Sequence, residues 1–195
     1  MSIDFVVSTS DLASSDLASP LLGSPSVASP SVASLSQADF RLGVELLPLV
    51  SIDLLLRDAG GRYLLGLRGN PPARGSWFVP GGRIRKGEPM DAALRRLCDD
   101  ELGLALHRDE WRLHGVYEHF YDDNFAGEQG RSTHYVVLAF IAQLPAHLSD
   151  LQIEGRLSRL PAEQHSGYRW AHPRAMAQDD TVHPNTRAYF PEYMR

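Results

Sequence analysis

The sequence predicts an α/β or α+β fold, in which a mixed sheet packs with one central helix and small peripheral helices. Three observations indicate this class. Apolar strand-like runs flank a Gly-rich turn, a well-delimited helix lies in the middle of the chain, and two more strand-like runs follow it. With 195 residues, 43% of them hydrophobic, the chain is long enough to build one substantial core.

The first half of the folded part is predicted to be a hairpin, a short strand and a helix. Residues 44–57 are dense in Val, Leu and Ile, end at a Gly-Gly turn and return as residues 62–68. Residues 77–79 form a short strand that enters a Pro-Gly-Gly loop. Residues 89–102 are the clearest helix, because Pro suits its first turn and Gly103 follows its last one.

The second half is predicted to add strands and short helices. Two strands are joined by a polar loop, and a linker leads to an edge strand and two helical pieces. The predicted ranges are 114–121 and 133–143 for the strands, 145–163 for the linker, 168–170 for the edge strand, and 172–178 and 184–193 for the helices.

Residues 1–33 differ in composition from the rest of the chain. They hold ten Ser, four Ala, three Pro, no Lys or Arg, and two five-residue repeats. So few aromatic residues cannot offset the entropy of ordering, which predicts a disordered extension before a folded domain at 34–195. The segment has neither the basic start and apolar block of a secretory signal nor the arginines of a mitochondrial transit peptide.

Composition excludes several function classes. A net charge of −5 makes the chain a poor general binder of nucleic acid or membrane surfaces. No apolar run approaches the ~20 residues that span a bilayer. The single Cys98 excludes an internal disulfide framework and leaves the redox compartment open, with the reducing cytoplasm as the default expectation.

The segment 82–104 combines a Gly-rich loop with a helix that carries carboxylates. Positions 97, 100 and 101 share one helix face, so Asp100 and Glu101 project beside the loop. Such carboxylates suit a hard cation like Mg²⁺, which in turn binds phosphate oxygens. A solvated acidic helix end would carry the same residues, so their spacing alone leaves both interpretations open.

The complete pattern resembles the Nudix box, G-x5-E-x7-R-E-U-x-E-E-x-G-U, in which U is aliphatic. The positions that match it are Gly82, Glu88, Arg96, Glu101, Gly103 and Leu104. Leu97 stands where the first helix Glu is expected, Cys98 fills an aliphatic position, and Asp100 replaces another Glu. In ordinary Nudix pyrophosphatases these glutamates hold several metal ions and activate water at phosphorus, a mechanism that Leu97 argues against.

The altered box is similar to that of the bacterial GDP-mannose mannosyl hydrolases, and the resemblance covers roughly residues 35–195. It implies the Nudix fold, a mixed sheet between helices, a homodimer and a GDP-sugar substrate. The stretches that carry it are LLGLRGNPPARGSWFVPGGR at 64–83, HFYDDNF at 119–125, THYVVLAF at 133–140, EQH at 163–165, YRW at 168–170 and VHPNTRAYF at 182–190.

The resemblance implies that water attacks C1 of the sugar, that GDP leaves and that the anomeric centre inverts. One Mg²⁺ (or Mn²⁺) on the diphosphate would neutralise charge on GDP. By the same resemblance, the Gly81 carbonyl, Glu101 and the Gln164 side chain would hold the ion. His165 would be the general base, and its ordinary pKa of about 6.5 suits proton abstraction near neutrality.

The resemblance also assigns contacts with the substrate. Arg68 would stabilise the departing GDP, with Tyr135 as a second donor. Asp53, a carboxylate in an apolar run, is costly unless paired or functional, and with His119 it would contact the mannose hydroxyls. The remaining candidates are Phe40 for stacking on guanine, Tyr121 for the sugar pocket or core packing, Arg83 for phosphate, and Arg96 for phosphate or an ion pair with Glu88.

Two other functions stay open at this point. A conventional Nudix pyrophosphatase would cut P–O and give GMP and mannose 1-phosphate, which Leu97 opposes and Asp100 favours. A non-catalytic Nudix module would sense a nucleotide sugar, but such modules accompany a regulatory domain, and residues 1–33 are too short to be one. GDP-mannose and GDP-glucose differ at one hydroxyl, so the sugar preference is open too.

Overall fold

The computed structural model of the protein describes residues 36–126, 128, 130–148, 150–160 and 165–194. The predicted extension at 1–33 and the candidate ligand Gln164 lie outside the described residues. Within them, a seven-stranded mixed sheet with helices packed on it confirms the predicted fold class.

Five helices and seven strands follow in chain order in the part of the chain that the structure describes. The helices are α1 (Gln37–Leu46), α2 (Met90–Leu102), α3 (Asp150–Leu157), α4 (Pro173–Met176) and α5 (Pro184–Arg187). The strands are β1 (Leu49–Arg57), β2 (Tyr63–Arg68), β3 (Trp77–Phe78), β4 (Gly81–Arg83), β5 (Arg112–Tyr121), β6 (Thr133–Gln143) and β7 (His165–Ala171). None of the helices described is long and apolar enough to cross a membrane.

Strand β1 lies at the centre of the sheet. The strand order is β3-β2-β1-β6-β5, with β4 paired to β1 and β7 paired to β2. The β1–β6 pair is parallel and the other pairs are antiparallel, so the sheet is mixed. Because β1 runs beside β4, the register sets Asp53 opposite Gly81.

Both faces of β1 are covered, which explains why its sequence is a nearly continuous apolar run. Ile52 and Leu54 belong to a core cluster with the buried side chains of α2, whereas Leu55 on the other face packs with Tyr189 and Phe190. The sheet is therefore enclosed between two apolar layers at the strand that carries Asp53.

Helix α2 buries one stripe and ends where the sequence predicts. Its buried residues are Ala93, Leu94, Leu97, Cys98, Glu101 and Leu102. Gly103 follows in the left-handed conformation, with φ 61°, and its N–H bonds back to the Asp99 carbonyl. The stripe therefore brings the last turn of α2, with Glu101, against the sheet.

The Gly-Gly part of the predicted Pro-Gly-Gly loop belongs to strand β4, and two further sequence predictions of element type are wrong. Residues 44–46 are the last turn of α1, not a strand: Ser36 caps that helix by accepting a hydrogen bond from the Asp39 N–H. The predicted linker at 145–163 contains α3, whose Ile153 and Leu157 are buried in the cluster that α2 completes. In both places the apolar residues belong to a helix, which the sequence pattern did not distinguish from the adjacent strand or linker.

Replacing Leu97 tests how far this residue of the box has become part of the core. Leu97 is 3% exposed, so Leu97→Ala should lower the free energy of unfolding by about 2–4 kcal/mol, the usual cost of such a cavity. Arg95→Ala, on the exposed face of the same helix, should change it by less than about 0.5 kcal/mol. Urea denaturation measures both, and an equal effect of the two variants would contradict the placement.

Candidate functional site

Glu101 and His165 meet at the junction of α2 and β7. Nε2 of His165 lies 3.1 Å from Oε2 of Glu101, and the two side chains are 2% and 7% exposed. The imidazole packs directly on β2, since a Cβ on Gly66 would lie 2.5 Å from Nδ1. Nδ1 is buried with no hydrogen-bond partner in the described structure. The ring is thus fixed with Nε2 toward the carboxylate.

The other two box positions on this helix face do not join Glu101. Leu97 is in the core, and its Cδ2 lies 2.8 Å from where a Cβ of residue 82 would be. The Asp100 side chain is 52% exposed and lies 3.6 Å from the Arg96 guanidinium. Of positions 97, 100 and 101, only the last supplies a buried carboxylate.

Arg96 braces the loop that follows β4. Its Nε and Nη2 donate to the two carboxylate oxygens of Glu88 at 2.7 and 2.8 Å, and Nη2 also donates to the Arg83 carbonyl at 3.1 Å. The hydrogen bonds from Arg96 hold the pKa of Glu88 below its ordinary value. Of the two interpretations of Arg96, the ion pair with Glu88 is present in the structure.

Glu101 and His165 line a cavity of about 780 Å³. Its walls carry guanidinium groups from the β4 loop, α2 and the α3 region, which suit an anionic ligand. These arginines are Arg83, Arg85, Arg96, Arg156 and Arg159. Among the described residues, no group of three or more His, Cys, Asp or Glu side chains is placed to hold a metal ion.

A second cavity of about 360 Å³ adjoins the first, because Gly82 and Arg83 line both. It gathers most of the substrate-binding residues that the sequence predicts. Those that line it are Phe40, Asp53, Arg68, Gly81, Arg83, His119, Tyr121 and Tyr135.

Asp53 and His119 share one partner at the inner wall of the second cavity. The Tyr189 hydroxyl donates to Oδ2 of Asp53 at 2.5 Å and lies 3.2 Å from Nε2 of His119. Burial raises the pKa of Asp53 to about 7, against the lowering effects of the Tyr189 hydrogen bond and Arg68. Burial lowers the pKa of His119 to about 4, with the nearby His183 adding to it. His119 is therefore neutral at physiological pH.

Arg68 lines the same cavity, and its guanidinium suits an anionic ligand. Its Nε is buried and has no hydrogen-bond partner among the described residues, a costly arrangement that a bound anion would relieve. Burial also raises the pKa of Tyr135, which keeps its hydroxyl a donor, while Arg68 and Arg83 lower that pKa. Arg68, Tyr135 and Arg83 form a cationic, donor-rich part of the second cavity, and Arg83 also lines the first.

Phe40 stands at the mouth of the second cavity in an aromatic pair. Its ring lies 4.5 Å from that of Phe125, and the Arg83 guanidinium lies 3.6 Å from the Phe40 ring centroid. Arg41 of α1 pairs with Glu128 at 3.2 Å, which ties Phe40 to the loop that carries Phe125. The mouth therefore offers flat rings and a guanidinium to a planar ligand.

Two residues of the site escaped sequence analysis. Tyr189 lies in the 182–190 stretch, which was predicted only as a short helix, and Phe125 ends the 119–125 stretch. Both stretches carry the family resemblance, but their roles depend on contacts with β1 and α1 that only the fold shows.

Comparison with known proteins adds the family. Residues 47–193 match the NUDIX domain. A 93-residue segment, 48% of the chain, is 52% identical to the low-salt glycan biosynthesis protein Agl8 of Haloferax volcanii; the match spans 57% of that protein, less than two thirds of its length.

Solved structures share the fold. The MutT protein of Methanosarcina mazei Go1 superposes with a TM-score of 0.56 at 19% identity, over 76% of this chain and 94% of that one. The MutT NUDIX hydrolase of Burkholderia pseudomallei does so with 0.53 at 24% identity, over 73% and 95%. Because the NUDIX match extends from the start of β1 to the end of the domain, the chain belongs to the Nudix family.

Proposed function

We propose that the chain is a Nudix hydrolase that cleaves GDP-mannose, or GDP-glucose, to GDP and free sugar by attack of water at the anomeric carbon. The observation that carries the proposal is the buried Glu101–His165 contact beside a box helix whose Leu97 is in the core. Attack at carbon needs a base, a stabilised leaving group and an oxocarbenium-like transition state, and no multi-metal carboxylate cluster.

The donor types of the proposed ligands, a carboxylate, a carbonyl and a side-chain amide, suit one hard cation. Glu101 supplies a buried carboxylate on a cavity that can admit a diphosphate, and the Gly81 carbonyl and Gln164 would complete the protein's ligands. When bound, Mg²⁺ (or Mn²⁺) would neutralise charge that develops on the diphosphate of the leaving GDP. The neutral amide and carbonyl beside one carboxylate suit a substrate that brings its own negative charge.

His165 would take the proton from water through Nε2. In the contact with Glu101, the carboxylate accepts, so Nε2 carries the proton. Nε2 would become a base in the other neutral tautomer, with the ring proton on Nδ1, which is available once the Glu101 carboxylate is engaged elsewhere. The water oxygen then bonds to C1 as the C1–O bond breaks, its proton passes to Nε2, and the bonding electron pair leaves with GDP.

The second cavity would hold the rest of the substrate. Arg68, with Tyr135 and Arg83, would stabilise the departing diphosphate in the second cavity, on the side that Arg83 shares with the first. Asp53 and His119 would contact the sugar hydroxyls at the inner wall. Phe40 would stack on guanine, and base–aromatic stacking is worth about 1–3 kcal/mol.

The relative from Haloferax volcanii, named for glycan biosynthesis, supports a link to activated sugars, which are the building blocks of glycans. The homodimer and the cytoplasmic location implied by the sequence stay predictions of this proposal.

Product identification tests the proposal directly. Incubation with GDP-mannose and Mg²⁺ should give GDP and mannose, resolved by anion-exchange chromatography. GMP and mannose 1-phosphate would instead establish a conventional pyrophosphatase and return Asp100 to consideration. Binding of GDP-mannose without turnover would support a nucleotide-sugar sensor.

His165→Gln tests the base. Removing a general base should lower kcat by about 10²–10⁴-fold, while the Mg²⁺ concentration for half-maximal activity stays nearly unchanged. His134→Gln is the matched control. His134 on β6 lies 3.6 Å from Glu118 on β5, and it lines neither cavity. Wild-type kcat in His165→Gln would remove this residue from the mechanism.

The Asp53→Asn variant tests the buried carboxylate in two ways: by the pH dependence of the free energy of unfolding and by hydrolytic activity. The pKa of Asp53 is about 7 in the folded state against 3.8 ordinarily, so the folded state holds this proton more tightly. Stability therefore falls as pH rises from about 4 to 7, by up to about 4 kcal/mol.

Because Asn stays neutral, Asp53→Asn should unfold at higher urea than the wild type at pH 8 and at similar urea at pH 4, yet lose hydrolytic activity. Asp109→Asn, at an exposed position, should show neither effect. A stability difference that is the same at both pH values would contradict the buried carboxylate as its source.

A further inference from the structure

We infer that Tyr189 is a positioning residue that presents Asp53 and His119 as two hydrogen-bond acceptors to two hydroxyls of the sugar. The inference rests on the proposed function and names what fixes the sugar subsite. It follows from the bridge that the Tyr189 hydroxyl makes between the two side chains.

Asp53 and His119 come from strands that are not neighbours. Asp53 lies on β1 and His119 on β5, with β6 between them. Tyr189 follows α5, is 1% exposed, and reaches both from one side, at 2.5 Å to Oδ2 and 3.2 Å to Nε2. One hydroxyl thus holds two side chains of the cavity at a fixed separation.

The single hydroxyl proton fixes the direction of the chain of hydrogen bonds. When Asp53 is ionised, Tyr189 donates this proton to its carboxylate, so the same oxygen can only accept from His119. Nε2 of His119 must then carry the ring proton, which leaves Nδ1 with a lone pair. Asp53 keeps Oδ1 as a second acceptor. The pair therefore matches a ligand that offers two O–H donors, as neighbouring hydroxyls of a hexose do.

The Tyr189 ring is held independently of its hydroxyl. The Tyr117 ring packs edge-on against it at 4.7 Å, and Nε2 of His114 lies 3.0 Å from the Tyr189 carbonyl oxygen. Burial and the adjacent Asp53 raise the pKa of Tyr189 well above its ordinary value, so the proton stays on the oxygen. Removing the hydroxyl should thus leave the ring in place and free Asp53 and His119 to rotate.

Tyr189→Phe tests the inference, with Tyr117→Phe as the matched control because Tyr117 packs on the same ring and lines neither cavity. The measurements are kcat and KM for GDP-mannose and GDP-glucose, and the inhibition constant of GDP, which lacks the sugar. In Tyr189→Phe, kcat/KM for the preferred GDP-sugar should fall about 10- to 100-fold, the usual worth of a hydrogen bond to a charged group. The preference between the two sugars should shrink, and the inhibition constant of GDP should stay unchanged.

A double variant shows whether Tyr189 acts through Asp53. Asp53→Asn/Tyr189→Phe should lose little more activity than Asp53→Asn alone, since the two changes remove one interaction. This pair also serves if Tyr189→Phe fails to fold, because the double variant has no unpaired buried carboxylate. A further large loss in the double variant would overturn the inference.

The outcomes separate this inference from the proposed function. A wild-type protein that hydrolyses neither GDP-sugar overturns the proposed function, and the inference falls with it. Wild-type hydrolysis with an unchanged kcat/KM in Tyr189→Phe overturns the inference alone. Equal weakening of GDP and GDP-sugar binding does the same, because it would show a general structural role.

Discussion

The buried contact between Glu101 and His165 joins the end of α2 to the start of β7 across 64 residues of sequence, and it forms part of the wall of the larger cavity. It requires α2 to press its apolar stripe on the sheet and β7 to pair with β2. The β2–β7 register shifts between Gly66 and Arg68, which sets His165 opposite Arg68. The same irregularity thus sets the backbone of the proposed base opposite that of the proposed leaving-group residue, while His165 lines the first cavity and Arg68 the second.

One substitution in the box changes what the helix can do. With Leu97 the helix face gains core packing and loses a carboxylate, and Asp100 turns to solvent and Arg96. Glu101 is then the one buried carboxylate among these box positions, in contact with His165 and, in the proposed function, with one cation. A second buried acidic side chain, Asp53, lies in the adjoining cavity, where burial raises its pKa. This loss of a carboxylate from the box is the reason that the proposed function places the attack at the sugar carbon rather than at phosphorus.

The sequence predicted those parts that depend on local patterns. The sequence predicts helix α2 correctly, because Pro89 and Gly103 delimit it and its apolar residues recur at helical spacing. The spacing of the box residues likewise indicates the loop before this helix. Helix α1 was missed because only Leu47 and Pro48 separate its last turn, which carries Val44 and Leu46, from the apolar run of β1. Tyr189 was missed because its partner Asp53 is 136 residues away, and no local signal reports such a contact. Gln164 and the extension at 1–33 lie outside the described residues and stay predictions.

The central claim depends on which bond is hydrolysed, the C1–O bond of the sugar or a P–O bond of the diphosphate. Hydrolysis of GDP-mannose in ¹⁸O-labelled water, followed by mass spectrometry of both products, reads it directly. Attack at carbon places the label on C1 of mannose and none on GDP. Label on a phosphate oxygen would show attack at phosphorus and contradict the role assigned to Glu101 and His165.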